Sequence, residues 1–211
     1  MSVFRFDAVE FRERASARLL AEPPSRYGRS DDDLNPGIEA ISPDIMPRAA
    51  AVLVPIVRRE PELQVLLTRR TEHLPSHAGQ IAFPGGKIDE ADEDAISAAL
   101  REAEEETGLD RSFVEPVGFL DGYLTRTSFR IVPVVALVRP GFVLRPQPEE
   151  VSDVFEVPLR FLMSAENHAR HSLAWKGRIR FYYAMPYGER YIWGATAGMI
   201  RNLYDRMYAT P

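Results

Sequence analysis

Gly85-Gly86-Lys87, an acidic linker, and then Arg101-Glu102-Ala103-Glu104-Glu105-Glu106-Thr107-Gly108-Leu109 form the stretch on which the rest of the chain is organised. At about 100° per residue, Glu102, Glu105 and Glu106 share one arc of a helix, while Ile96, Ala99, Leu100 and Ala103 make an apolar stripe beside it. The spacing predicts an amphipathic helix with carboxylates clustered along one edge. Glu102 and Glu106 are a like-charge i, i+4 pair costing about 0.2–0.5 kcal/mol, and Arg101, four residues before Glu105, is the basic residue spaced to relieve it. A face that repels itself calls for positive charge from outside the chain. Hard oxygen donors on a rigid scaffold suit Mg²⁺ or Mn²⁺, and Mg²⁺ in particular is held by few carboxylates together with waters and substrate phosphates. The competing reading is a solvated acidic surface helix.

The full spacing decides between them. A glycine, an acidic position, and Arg-Glu-x-x-Glu-Glu-x-Gly closed by an aliphatic residue resemble the box of the Nudix hydrolases, enzymes that cleave a nucleoside diphosphate linked to another group. From Arg101 to Leu109 the match is complete. The first half is one residue longer than the pattern: counting forward from Gly86 puts Asp92 at the acidic position, and counting back from Arg101 puts Glu93 there. Upstream, Leu66-Leu67-Thr68-Arg69-Arg70-Thr71 and His77-Ala78-Gly79-Gln80-Ile81-Ala82-Phe83-Pro84-Gly85-Gly86 are similar to the extra motif of the coenzyme A pyrophosphatase branch, with Pro75 where that branch commonly has a basic residue. The resemblance runs over about residues 50–206, and its specific part is 66–109.

That resemblance implies an α/β fold, an α/β/α sandwich with a mixed β-sheet between helices. It implies metal-dependent hydrolysis of coenzyme A or its thioesters to 3′,5′-ADP and 4′-phosphopantetheine. Glu102 and Glu106 are then metal ligands, and Glu105 is a third ligand or the base for the attacking water. Arg101 is expected to pair with Glu105 and hold its rotamer. Glu149 or Glu150 resembles a remote glutamate brought to the metals, and Glu150 is carried as a catalytic candidate. Gly85 and Gly86 allow backbone to approach a ligand closely, and Arg69 and Arg70 are candidates for phosphate recognition, including the 3′-phosphate of coenzyme A. His73 and His77 lie in the same stretch and read as ordinary loop residues or substrate contacts. Another diphosphate substrate, such as ADP-ribose, NADH or a dinucleotide, is the first alternative. A nucleotide-sensing module without catalysis is the second, and for it one expects a broken box.

Composition bounds the rest. With 211 residues, 45% of them hydrophobic, the chain can bury one full core. The expected organisation is a domain over 49–211 with an N-terminal helix and a Pro- and Asp-rich extension, 1–48, packed on it. Cysteine is absent, which excludes disulfides and thiolate zinc sites and fits a reducing cytoplasm, and the four histidines lack zinc-ligand spacing. No run approaches the roughly 18 apolar residues of a membrane span, and the opening residues carry no secretory signal. A net charge of −5 argues against nucleic acid as partner. The expected partner is a small nucleotide, and a homodimer is the assembly to test.

Along the chain, residues 7–21 read as a helix capped by Asp7, with Val9, Phe11, Ala15, Leu19 and Leu20 as its stripe. A long proline-rich connection follows. Its Asp31-Asp32-Asp33 run lacks the glycine and terminal glutamate of a calcium loop at the right offsets. Runs 49–57 and 63–68 read as a hairpin, and 81–83 as a short strand. After the helix, which Gly108 stops, come strands over 113–124, 129–138 and 154–157, a short helix over 159–163, and a hairpin, 171–175 with 179–185, around Lys176-Gly177. A final helix over 193–207 repeats Ala195, Met199, Leu203 and Met207 at i+4 as core packing.

Overall fold

A computed structural model describes residues 4–36, 46–74, 76–175 and 177–209. Its centre is the pairing of β2 (Arg48–Val57) with β8 (Phe129–Val138), parallel over ten rungs. Both strands are Val- and Leu-rich because both faces are covered. Ala51, Leu53, Val132 and Val134 face α2 (Ala95–Thr107), and Val52, Val54, Ile56 and Leu137 belong to a second core with α1 (Ala8–Arg18) and α4 (Gly194–Met207). The sheet between these helices is mixed and has nine strands among the described residues. The α/β/α sandwich is therefore observed.

Around this pair, β3 (Gln64–Arg70) meets β2 at only two rungs, Ile56 with Val65 and Val57 with Gln64. The expected hairpin exists only at its turn, because β2 leaves β3 to pair with β5 (Gly85–Lys87) and β8, while β3 pairs with β4 (Ile81–Ala82) and β9 (Val151–Pro158). The strand expected over 113–124 is split into β6 (Val114–Phe119) and β7 (Tyr123–Leu124). β7 also takes a parallel partner, β1 (Arg29–Ser30), inside the segment expected to be a plain connection.

The short helix α3 (Leu159–Leu162) forms as expected. The late hairpin is β10 (Ala169–Trp175) and β11 (Arg178–Tyr187), with Lys176 of its turn outside the described residues, and an unexpected third strand, β12 (Arg190–Trp193), extends it into a second sheet.

The cap of α1 is Asp7, whose carboxylate accepts from Glu10 N–H at 2.8 Å. The stripe differs from expectation: Val9 is 63% exposed and Glu10 turns inward. Glu10 accepts from the backbone N–H groups of Arg5 (2.7 Å) and Phe6 (2.9 Å) and from Arg14 Nε (3.1 Å), so the turn entering the helix needs its carboxylate more than the core needs Val9. α1 lies against β6 and α4.

Candidate active site

The box helix starts at Asp94, whose carboxylate accepts from Ser97 N–H, and stops at Gly108 in the left-handed region (φ 71°), whose N–H returns to Glu104 O at 2.8 Å. The last carbonyls of α2 are satisfied by the following loop: Arg145 N–H donates to Thr107 O (2.7 Å) and Gln147 N–H to Glu106 O (2.9 Å). Those bonds draw residues 145–150 across the end of the helix. Thr71 then fixes the loop, accepting nothing from it but donating its N–H to Glu150 O (2.9 Å) and its hydroxyl to Glu149 O (3.0 Å). The result is a cleft of about 330 Å³ lined by Glu102, Glu105, Glu106, Gln147 and Glu150. Of the two loop glutamates, Glu150 is the one that lines it.

Each carboxylate in the cleft has its own environment. Glu106 is buried at 4% exposure. Its Oε2 accepts from Gly85 N–H at 3.2 Å, and its Oε1 lies 3.7 Å from Arg70 Nη1. Burial pushes its carboxyl up to about 7, Gly85 and Arg70 oppose the rise, and Glu102 and Glu150 add to it. Glu102 is raised by the same cause, against Arg101 and with Glu105 and Glu150. Gly86 stands where a Cβ would come within 2.5 Å of the Glu102 carboxylate, so a side chain there would displace that carboxylate from its present position. Glu105 is exposed and bonded to Arg101 Nη1 at 3.1 Å.

Arg101 does more than the expected pairing with Glu105. Its Nε and Nη2 grip Asp92 bidentately at 2.9 and 2.8 Å, Nη2 also donates to Lys87 O (3.1 Å), and Nη1 reaches Glu102 (3.0 Å). This guanidinium ties the linker, the strand β5 and two helix carboxylates together. It holds the Asp92 carboxyl down to about 2 and is itself raised by Asp92 and Glu102. Between the two counts of the linker, the geometry selects Asp92.

The adjacent arginines on β3 part company. Arg70 turns toward Glu106 and lines a cavity of about 430 Å³, whereas Arg69 is exposed and paired with Glu72 at 3.2 Å, outside that lining. The ladder of β3 with β9 shifts register between these two residues, and they face different surroundings. Of the two arginines expected to recognise phosphate, the structure brings Arg70 to the glutamate cleft and leaves Arg69 outside it. His73 is exposed, and His77, at φ 58°, bonds Gln80 through Nδ1 (2.8 Å) on the cavity wall. Pro75 lies outside the described residues.

The cavity itself was not foreseen. Gly85, Gly86 and Arg70 line it and also touch Glu102 or Glu106, so the two spaces meet at β5. Its other walls carry Asp31, Tyr123, Phe181, Trp193 and Met199, residues scattered from the extension to α4. Part of it was signalled in the sequence, since His77, Gln80, Ile81, Ala82, Phe83, Gly85 and Gly86 of the upstream motif line it, whereas Asp31 and Asp33 were read only against a calcium loop.

Among the described residues, no three His, Asp or Glu side chains share a single ligand shell as placed here. The carboxylates line a common cleft instead. Their chemistry nonetheless fits a hard divalent cation: all donors are oxygen, two of them are held by burial and like charge above the ordinary carboxylate range, and Gly86 clears the approach to one. No helix among the described residues is long and apolar enough to cross a membrane.

Comparison with known proteins gives a consistent result. The model of the NUDIX domain matches residues 46–176. The chain is 42% identical to an uncharacterized Nudix hydrolase NudL of Shigella flexneri over 164 residues, 78% of this chain and 85% of that one. It is 44% identical to the protein of the same description in Escherichia coli K12 over 156 residues, 74% of this chain and 81% of the other. A solved structure from Deinococcus radiodurans superposes with a TM-score of 0.50 at 14% identity, covering 82% of this chain and 91% of that one, a likeness of fold.

Proposed function

The chain belongs to the Nudix family, and from that premise we propose that it is a metal-dependent pyrophosphatase acting on coenzyme A or its thioesters. The products are 3′,5′-ADP and 4′-phosphopantetheine or its acyl derivative. The observation that carries the reading is the junction at β5: a cleft of glutamates on one side, a large cavity on the other, and Arg70 beside both. The sequence of residues 66–86, similar to the coenzyme A branch, supports the choice of substrate.

Glu102 and Glu106 would hold the metal, with Glu105 as third ligand or base and Glu150 facing them from the loop. When bound, Mg²⁺ or Mn²⁺ supplies neutralisation of the diphosphate and a lowered pKa for water. The chain's own groups set the geometry. Gly85 N–H and Arg70 orient Glu106, and Arg101 orients Glu102 while locking Asp92 and Lys87 O. Arg70, on the cavity wall and 3.7 Å from Glu106, is placed to meet a diphosphate oxygen with its guanidinium. Glu105, exposed to water and held by Arg101 at 3.1 Å, is placed as a base that takes a proton from water. The intact box disfavours a sensing module. A cytoplasmic setting is supported by the absence of cysteine, and a homodimer is checked by sedimentation.

Turnover of coenzyme A, acetyl coenzyme A, NADH and ADP-ribose, side by side with Mg²⁺ and with Mn²⁺, tests the proposal. Coenzyme A or its thioester is expected to show the highest kcat/KM. A higher value for ADP-ribose or NADH overturns the substrate assignment.

A further inference from the structure

Close to half of the cavity lining comes from chain outside residues 46–176. Arg29, Asp31 and Asp33 enter from the N-terminal extension, and Phe181, Trp193 and Met199 from β11, β12 and α4. The extension is built in, not draped over the surface. Asp31 accepts from Tyr123 Oη (3.0 Å) and from Arg126 N–H (2.9 Å), which fixes it to β7 and the turn after it. Asn35, 4% exposed, donates to Phe181 O (2.9 Å) and accepts from Phe181 N–H (2.8 Å), which fixes it to β11. Residues 29–35 thus tie the second sheet to the first, and the cavity is the space between them.

The charge of that space is informative. Three of the lining cations are already engaged: Arg29 with Asp205 (2.7 Å) and Asp33 (3.8 Å), Arg201 with Asp205 (2.8 Å), and Arg180 with Asp32 (3.2 Å). Asp31 and Asp33 face the same space. The other two cations in the lining, Arg70 and Lys87, stand beside or on β5, next to the glutamate cleft. The rest of the wall is mainly apolar, with Ile81, Phe83, Phe129, Ile131, Trp193 and Met199 contributing. A phosphorylated ribose placed there would bring a dianion to a region where Arg29, Arg180 and Arg201 are each already paired with an aspartate. An uncharged chain carrying amide N–H and hydroxyl donors matches both the apolar wall and the acceptors.

We propose, resting on the pyrophosphatase reading above, that this cavity seats the uncharged, amide-bearing arm on the non-nucleoside side of the diphosphate. The flanking segments 29–34 and 180–201 then choose the substrate, and the box cleaves it.

Trp193 lines the cavity and is one of two tryptophans in the chain, so Trp175→Phe leaves a single reporter there. Pantetheine and 4′-phosphopantetheine are each titrated into the full-length W175F protein without metal, and 3′,5′-ADP in parallel. Saturable change of Trp193 emission by the two arm compounds, and none by 3′,5′-ADP, is expected. Phe181→Ala, which removes an aromatic wall, is expected to weaken pantetheine on the order of three- to tenfold. In the unmodified enzyme the same substitution raises KM for coenzyme A with kcat little changed, and pantetheine competes with coenzyme A. A saturable response to 3′,5′-ADP alone places the nucleoside in the cavity and overturns the inference. So does the absence of any response together with absence of competition by pantetheine. Failure of the pyrophosphatase reading shows separately, as no turnover of coenzyme A by the unmodified protein with either metal.

Discussion

Replacing Glu106 with glutamine is expected to stabilise the metal-free protein, by an amount that grows with pH. Glu106 is buried, faces Glu102 and Glu150, and ionises near 7 where an ordinary glutamate ionises at 4.5. Its folded state therefore holds a proton that the unfolded state has released between those two values. Stability from this group is intact below about pH 4.5 and is lost as pH rises through about 7. The interval of ~2.5 pH units, at about 1.4 kcal/mol each, amounts to about 3 kcal/mol. Glutamine carries no charge to desolvate and keeps an oxygen for Gly85 N–H, but it gives up the attraction of Arg70 at 3.7 Å. The 3 kcal/mol is thus an upper value, and for a chain of this size it corresponds to roughly 6–12 °C in Tm. Urea unfolding of both proteins in excess EDTA, from about pH 5 to about pH 8, measures it. A difference that does not change with pH, or a variant less stable than the parent at about pH 8, refutes the reasoning.

Other consequences of the site are open to direct assay. Glu105→Gln is expected to lower kcat by roughly 10²–10⁴ with thermal stability unchanged, because Glu105 is exposed and its loss removes chemistry, not packing. Arg101→Ala is expected to cost on the order of 100-fold in kcat, and lysine to restore it only in part since it cannot grip Asp92 bidentately; a rise in KM alone counts against the positioning role. Gly86→Ala forces the Glu102 carboxylate away from a Cβ 2.5 Å distant, so the Mg²⁺ concentration for half-activation is expected to rise at least about tenfold in a metal titration. Arg70→Ala is expected to lower kcat/KM on the order of tenfold or more, while Arg69→Ala, which loses only an exposed pair with Glu72, leaves it within about twofold.

What could be read in advance was what depends on neighbours in sequence. The carboxylate arc, the Asp7 cap and the Gly108 stop all follow from residues within a few positions of one another, and they stand in the structure as read. Pairings that cross the chain were misread. The runs at 49–57 and 63–68 are adjacent in sequence and each suits a strand, so a hairpin was the local answer, yet the partner that wins for β2 is β8. Val9 and Glu10 exchanged places because two N–H groups at Arg5 and Phe6 needed an acceptor that periodicity does not count. In the site, the choice between Asp92 and Glu93, and between Arg69 and Arg70, turned on which side of a linker or strand faces the helix. The cavity was only half legible: the 77–86 motif supplies one wall, but the facing wall comes from 29–34 and 180–201, which carry no motif.

The parallel ladder at the centre also dictates the order of events during folding. Each residue of β2 pairs with one eighty-one positions later, Arg48 with Phe129 through Val57 with Val138. β5 and α2 lie inside the loop that this pairing closes, so the core beneath α2, which takes Val132, Val134 and Ala136 from β8, is completed only when β8 arrives. Such non-local pairing is slow, because loop entropy is lost before contacts repay it. During synthesis at about 5–20 residues per second, β2 waits roughly 4–16 s for its partner, apolar on both faces and with an open edge. The strand on which α2 and β5 rest is thus exposed to misassociation while the chain is being made. Polar replacements at Leu53 or Val54 that quieten this hazard would undo the platform they protect.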